Sequence, residues 1–180
     1  AYTVAQELKK LPQARIGIVL PPGAGGWLAN LAVALAGKSS VNLNFTTSAA
    51  VARHCLQQAE VSSVITAAAM RAKLPDFPWA AVEVLDLKEA LANPTAKIKA
   101  LWHLLQILLL PAPLLGLAWG LPGGTEGEAT LLFSSGSTGT PKGVPLTHHN
   151  LSANLSQIDD TSLLTKDFRL LANLPLFHSF

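Results

Sequence analysis

Two observations predict an α/β fold built on a mostly parallel sheet with flanking helices. Short β-branched apolar runs alternate with longer amphipathic ones, and glycine- or proline-rich turns separate the two kinds. Strands and helices in alternation imply crossover connections, and crossovers imply parallel strands with helices packed on the sheet faces. There is no internal repeat or low-complexity segment to suggest an array instead.

The elements follow in order. ARIGIVL (14–20) reads as a buried strand, and the Pro-Pro-Gly-Ala-Gly-Gly turn after it delivers the chain into WLANLAVALAG (27–37), a helix closed by Gly37. VNLNF is a second strand, TSAAVARHCLQQAE a helix with a hydroxyl start, and VSSVIT a third strand. The breaker-rich KLPDFPW precedes a fourth, AVEVLDL (81–87).

Residues 95–121, TAKIKALWHLLQILLLPAPLLGLAWGL, break the pattern. Lys97 and Lys99 are the formal charges in it, and Leu101, Leu104, Leu105 and Leu108 recur at helical spacing. The uniformly apolar part, 107–121, is shorter than the roughly 20 residues of a membrane span and is interrupted by Pro111 and Pro113. Two readings stand: a helix and apolar loop packed on the body of a larger protein, or an interfacial segment with lysines at its edge and Trp102 and Trp119 as amphipathic anchors.

GLPGGTEGEA (120–129) is expected to be a flexible linker. TLLF follows as a strand, and FSSGSTGTPKGVPLTHHN (133–150) reads as a loop that ends at the start of the helix HHNLSANLSQI, with Thr147 as its N-cap and Leu151, Leu155 and Ile158 on one face. His148 and His149 serve the start of that helix, and RLLANLP (169–175) is the next strand. The expected organisation is an N-terminal α/β subdomain over 1–94, an apolar insert over 95–121, and a strand, loop and beginning of a further α/β unit over 122–180. The apolar ending NLPLFHSF, with no turn or polar tail after it, is expected of a cut through a larger protein.

Composition limits the function. Hydrophobic residues make up 49% of the 180 and charged residues 13%, against about 25% in typical domains. Some apolar surface is therefore expected to face a partner, another domain or a membrane. A net charge of +2 with scattered basic residues does not make a nucleic-acid footprint. Cys55 is the single cysteine, so there is no disulfide framework or thiolate zinc site, and it reads as a small buried apolar residue. The N-terminus has charges where a signal peptide needs an apolar core. A reducing cytoplasm is the expected compartment, at the inner face of its membrane if the insert meets lipid.

The loop carries the chemistry. Gly136, Gly139 and Gly143 are expected to supply positive φ angles and close backbone approach. Ser134, Ser135, Ser137, Thr138 and Thr140 can donate hydrogen bonds to phosphate oxygens, and Lys142 adds a mobile cation. A strand, such a loop and a helix N-terminus together form an anion site. The Walker pattern is excluded: counted from Gly136, its second glycine falls on Pro141 and its hydroxyl residue on Gly143.

SSGSTGTPKGV (134–144) resembles the AMP-binding signature of the adenylate-forming superfamily, which includes acyl-CoA synthetases, luciferases and non-ribosomal adenylation domains. LPLFHSF (174–180) looks like that family's next motif, which makes His178 a site candidate and Phe177 a candidate wall of the acyl pocket. IGIVLPPGAGGWLANLAVALAGKSSVNLNFT looks most like the acyl-[acyl-carrier-protein] synthetase part of bifunctional 2-acylglycerophosphoethanolamine acyltransferases, which also carry an apolar insert of the kind at 95–121, or the long-chain fatty-acid ligase group. No histidine here has an aspartate five positions on, so the companion acyltransferase pair is not in these residues.

The resemblance implies part of the large N-terminal domain of an acyl-CoA-synthetase-like fold. It also implies a parent enzyme that uses ATP and Mg2+ to turn a fatty acid into an acyl-adenylate and then passes the acyl group to coenzyme A or acyl carrier protein. In it, Lys142 and His178 are the catalytic candidates, and Ser134, Ser135, Gly136, Ser137, Thr138, Gly139, Thr140, Lys142 and Gly143 are the nucleotide-binding ones. The adenine motif with its magnesium-associated glutamate, the ribose aspartate and a catalytic lysine are expected beyond Phe180, which would leave residues 1–180 inactive alone. The competing expectation is a non-catalytic nucleotide-binding or membrane-docking module of the same fold.

Overall fold

A computed structural model describes residues 1–121, 123–134, 140–160, 169 and 174–177. Its helices are α1 (Tyr2–Leu8), α2 (Ala24–Leu35), α3 (Ala49–Gln58), α4 (Ala68–Lys73), α5 (Leu87–Ala92), α6 (Pro94–Leu109), α7 (Ala112–Ala118) and α8 (His148–Asp160). Its strands are β1 (Arg15–Ile18), β2 (Ser39–Asn42), β3 (Ser63–Thr66), β4 (Glu83–Asp86), β5 (Glu128–Ser134) and β6 (Lys142–Thr147).

Among the described residues they form one six-stranded sheet in the order β4-β3-β1-β2-β5-β6. The pairs from β4 to β5 are parallel, and β5–β6 is antiparallel. Strand residues alternate between two buried layers. Val19, Val41, Leu43, Val64 and Leu131 pack with Ala52, Cys55 and Leu56 of α3, while Ile16, Ile18 and Ile65 pack with Val4 and Leu8 of α1 and Ala29, Ala32 and Val33 of α2. Cys55 lies in the first layer, where burial pushes its thiol up to about 11.

Local signals set the helix ends. Gly37 takes φ +72 after α2, and its N–H and that of Lys38 donate to Ala34 O (2.9 Å) and Val33 O (3.1 Å), closing the helix with a Schellman turn. Ser48 Oγ accepts from Val51 N at the start of α3. Thr147 does cap α8: its Oγ1 accepts from Asn150 N at 3.1 Å while Asn150 Oδ1 accepts from Thr147 N at 2.9 Å.

Three expectations change. The chain after the loop does not enter a helix directly but returns as β6. Gly143 and Pro145 read as breakers, yet β6 is the edge strand, where a missing N–H is tolerated. The expected linker 120–129 gives up Glu128 and Ala129 to β5. Of RLLANLP (169–175), residues 170–173 lie outside the described set.

The start of β1 is tied to the start of β5 across β2. Arg15 Nε and Nη2 donate to Glu128 Oε1 and Oε2, each at 2.7 Å, a bidentate pair that is about three-quarters buried. The hydrogen bond from Arg15 holds the Glu128 carboxyl below its ordinary range. A depressed carboxylate contributes stability that is fully present above the unfolded glutamate range and lost as pH falls through the folded value. The urea midpoint of the wild type is therefore expected to fall more steeply between neutral pH and about pH 3 than that of Glu128→Gln; parallel pH profiles would contradict this.

The 95–121 segment is inside out. The helix α6 turns Lys99, His103 and Gln106 toward the body and its leucines away from it. Lys99 reaches Glu7 at 4.0 Å. Tyr2 stacks on Trp119 with centroids 4.0 Å apart and meets the His103 ring edge-on. Trp119 Nε1 donates to Gln106 Oε1 at 2.9 Å, and Tyr2 OH donates to Trp119 O at 2.8 Å. Trp119 is thus a buried latch and not an interfacial anchor. Trp102 is exposed, together with Ile98, Leu101, Leu104, Leu105, Leu108 and Leu109.

Candidate functional site

Since β5 runs parallel to β2, its last residue, Ser134, lies at the carboxyl edge of the sheet, the edge where open α/β sheets bind ligands. In the hairpin register Ser134 faces Lys142, and Ser134 Oγ donates to Lys142 O at 3.4 Å. Ser135, Gly136, Ser137, Thr138 and Gly139 lie outside the described residues, as does His178. Their flanks are described: Thr140 is exposed, and so is Lys142, which pairs with no acidic side chain among the described residues.

Antiparallel β6 alters the electrostatics expected of this site. It runs away from the loop, and at about 3.4 Å per residue it carries the chain some 17 Å before α8 begins. The α8 N-terminus therefore stands at the opposite edge of the sheet, where His148 N and His149 N donate to Gly127 O (3.1 Å) and Thr125 O (2.7 Å). Positive charge at the loop mouth comes from Lys142, not from the dipole of that helix. Gly143 also differs from expectation. It is a strand residue outside the positive-φ set, and a Cβ there would stand 3.0 Å from Leu131 Cδ2, so a larger residue would require that side chain to shift.

The other motif returns to the same edge. Leu176 lies against the first turn of α2, which follows β1, and Phe177 is buried against Phe45, which follows β2. Beside Leu176 an apolar cleft of about 800 Å³ runs between α2 and α8, lined by Trp27, Leu31, Leu132 and Leu151 among others. At its base Asn30 and Asn42 exchange side-chain amide hydrogen bonds of 3.0 and 2.9 Å.

Sequence reasoning missed Asn42 and Phe45 as site-facing residues. VNLNF was read only as a strand, although Asn and Thr after a parallel strand signal a turn at the ligand edge.

A family model described as AMP-binding enzyme matches residues 4–180. Malformin synthetase from Aspergillus vadensis is 50% identical over 54 residues, which are 30% of this chain and 1% of that protein. Sulfoacetate–CoA ligase from Cupriavidus necator is 47% identical over 53 residues, 29% of this chain and 10% of that enzyme. In fold, the chain superposes on o-succinylbenzoate CoA synthetase from Bacillus subtilis, solved in complex with its acyl-adenylate intermediate. The TM-score is 0.71 at 21% identity, covering 98% of this chain and 41% of that one.

Proposed function

The chain belongs to the AMP-binding enzyme family, and from that premise we propose that it is part of an ATP-dependent acid–thiol ligase that activates a fatty acid. The substrate carboxylate attacks the α-phosphorus of ATP, the bond from that phosphorus to the bridging oxygen breaks, and pyrophosphate leaves. The thiol of coenzyme A or acyl carrier protein then attacks the acyl carbonyl and AMP leaves. The observation that carries the reading is that the two flanks of the SSGSTGTPKGV motif, Ser134 at the end of β5 and Lys142 at the start of β6, pair at the carboxyl edge of the sheet with Lys142 exposed.

In this reading the hydroxyls of Ser134, Ser135, Ser137, Thr138 and Thr140 and the Lys142 ammonium hold the β- and γ-phosphates and neutralise the charge that develops as pyrophosphate departs. Gly136, Gly139 and Gly143 let the backbone approach them. Phe177 and His178 border the acyl pocket. Among the described residues no group of three or more His, Cys, Asp and Glu side chains can hold a metal ion. Mg2+ would enter on ATP and screen phosphate charge.

The test is acid-dependent exchange of labelled pyrophosphate into ATP by the full-length protein, over fatty acids of several lengths and over short and aromatic acids. Exchange greatest with fatty acids is expected. Exchange confined to other acids would keep the ligase and remove the fatty acid; none with any acid would leave the non-catalytic nucleotide-binding module.

The outer face of α6 supports a second element, contact with a lipid surface at the cytoplasmic side of a membrane. Leu101 and Leu108 are 69% and 72% exposed, Trp102 stands beside them, and the charges between Glu89 and Glu126 are Lys97 and Lys99. Among the described residues no helix is long and apolar enough to cross a membrane, so the contact would be interfacial. Flotation of the full-length protein with anionic vesicles is expected, with loss in Leu101→Glu/Leu108→Glu; unchanged flotation of that variant would contradict the contact.

A further inference from the structure

Leu176 and Phe177 are seated by two turns that no motif marks. A Cβ on Gly26 would stand 3.1 Å from Leu176 Cδ1 and 3.1 Å from Pro21 O, so the first turn of α2 admits Leu176 because residue 26 has no side chain. Phe177 meets Phe45 edge to face, with ring centroids 5.2 Å apart and planes at 84°, the favoured geometry for an aromatic pair.

Phe45 is itself fixed from below. Asn44 Oδ1 accepts from Thr46 N (2.9 Å) and Thr46 Oγ1 (2.7 Å), and Thr47 Oγ1 donates to Asn44 O (2.9 Å). This Asx turn is followed at once by the Ser48 cap of α3, and Phe45 packs against the buried layer under α3. Both turns rise from β1 and β2, adjacent strands at the centre of the sheet. Such a rigid base places a pocket wall more sharply than a loop supported by other loops.

We propose that Phe45 is a positioning residue for the acid substrate: with Gly26 it holds Leu176–Phe177, the dipeptide read above as a wall of the acyl pocket. The inference rests on the acid-activating reading above. It also divides the site. Ser134 and Lys142, the flanks of the phosphate motif, hold one another across the β5–β6 ladder without Phe45, so loss of the Phe45 ring acts on the acid more than on ATP.

The experiment is pyrophosphate exchange by the full-length protein with separate titrations of acid and ATP, for wild type, Phe45→Ala, Phe45→Tyr and Gly26→Val, each checked for a native circular dichroism spectrum. Misplacement of a pocket wall by about 1 Å costs up to about a hundredfold. Phe45→Ala is expected to raise the KM for acid about tenfold or more with the KM for ATP within about twofold, Gly26→Val to act in the same direction, and Phe45→Tyr to recover most of the loss.

An unchanged acid KM in Phe45→Ala, beside an active wild type, overturns the positioning role. So does an equal change in both KM values with no recovery in Phe45→Tyr, which would mark general structural damage. If Phe45→Ala does not fold, Phe45→Leu, which keeps the apolar contact and loses the ring edge, must still raise the acid KM selectively or the proposal fails. A wild type that exchanges with no acid removes the acid-activating reading itself, an outcome visible before any variant is compared.

Discussion

Lys142→Ala in the full-length protein is expected to lower acid-dependent pyrophosphate exchange by about 10²- to 10³-fold, the usual cost of removing one preorganised charge-stabilising donor. The unfolding midpoint should hardly move, because Lys142 is exposed and pairs with no acidic side chain among the described residues. Nor does the α8 dipole stand behind the loop to compensate, since β6 carries the chain to the other edge before that helix begins. Lys142→Arg should recover only part of the rate, because a planar guanidinium presents its donors differently from a compact ammonium. A drop of less than about threefold in Lys142→Ala would assign phosphate neutralisation to the hydroxyls and backbone amides instead.

Ile16→Ala should produce the largest loss of stability. Ile16 is 0% exposed in β1, between α1 and α2. Truncation there removes buried carbons and leaves a cavity that close-packed neighbours on a central strand cannot fill, costing about 2–5 kcal/mol. Ile98→Ala is the control: the same residue type, 71% exposed on α6, is expected to change stability by less than about 0.5 kcal/mol. Urea denaturation of both variants checks the pair. Equal midpoints would mean that the α6 face is covered in solution and that the exposed arc is already an interface.

The contrast between those two isoleucines bounds what sequence reasoning could reach. Local pattern was sufficient for the parallel core. ARIGIVL, VSSVIT and AVEVLDL each contain a strand, VNLNF overlaps the end of one that begins earlier, at Ser39, and Gly37, Ser48 and Thr147 end or begin helices as their conformational freedom and hydroxyls dictate, because these preferences act over a few residues. The phosphate-loop composition was equally legible, since its chemistry is spelled out in consecutive side chains.

The sequence by itself thus determined the α/β class, the order of the core elements and the candidate loop. The tertiary structure decided which face of each element meets the core. Periodicity shows that Leu101, Leu104, Leu105 and Leu108 share a face but not where that face points, and the stacking of Trp119 on Tyr2 turned it outward. Gly143 and Pro145 look like loop residues until β6 lies at the sheet edge, where an absent N–H costs little. Phe45 and Phe177 meet only because adjacent parallel strands bring two distant turns to one edge. Each of these outcomes depends on contacts between residues far apart in the chain, and such contacts leave no mark on the pattern of neighbours.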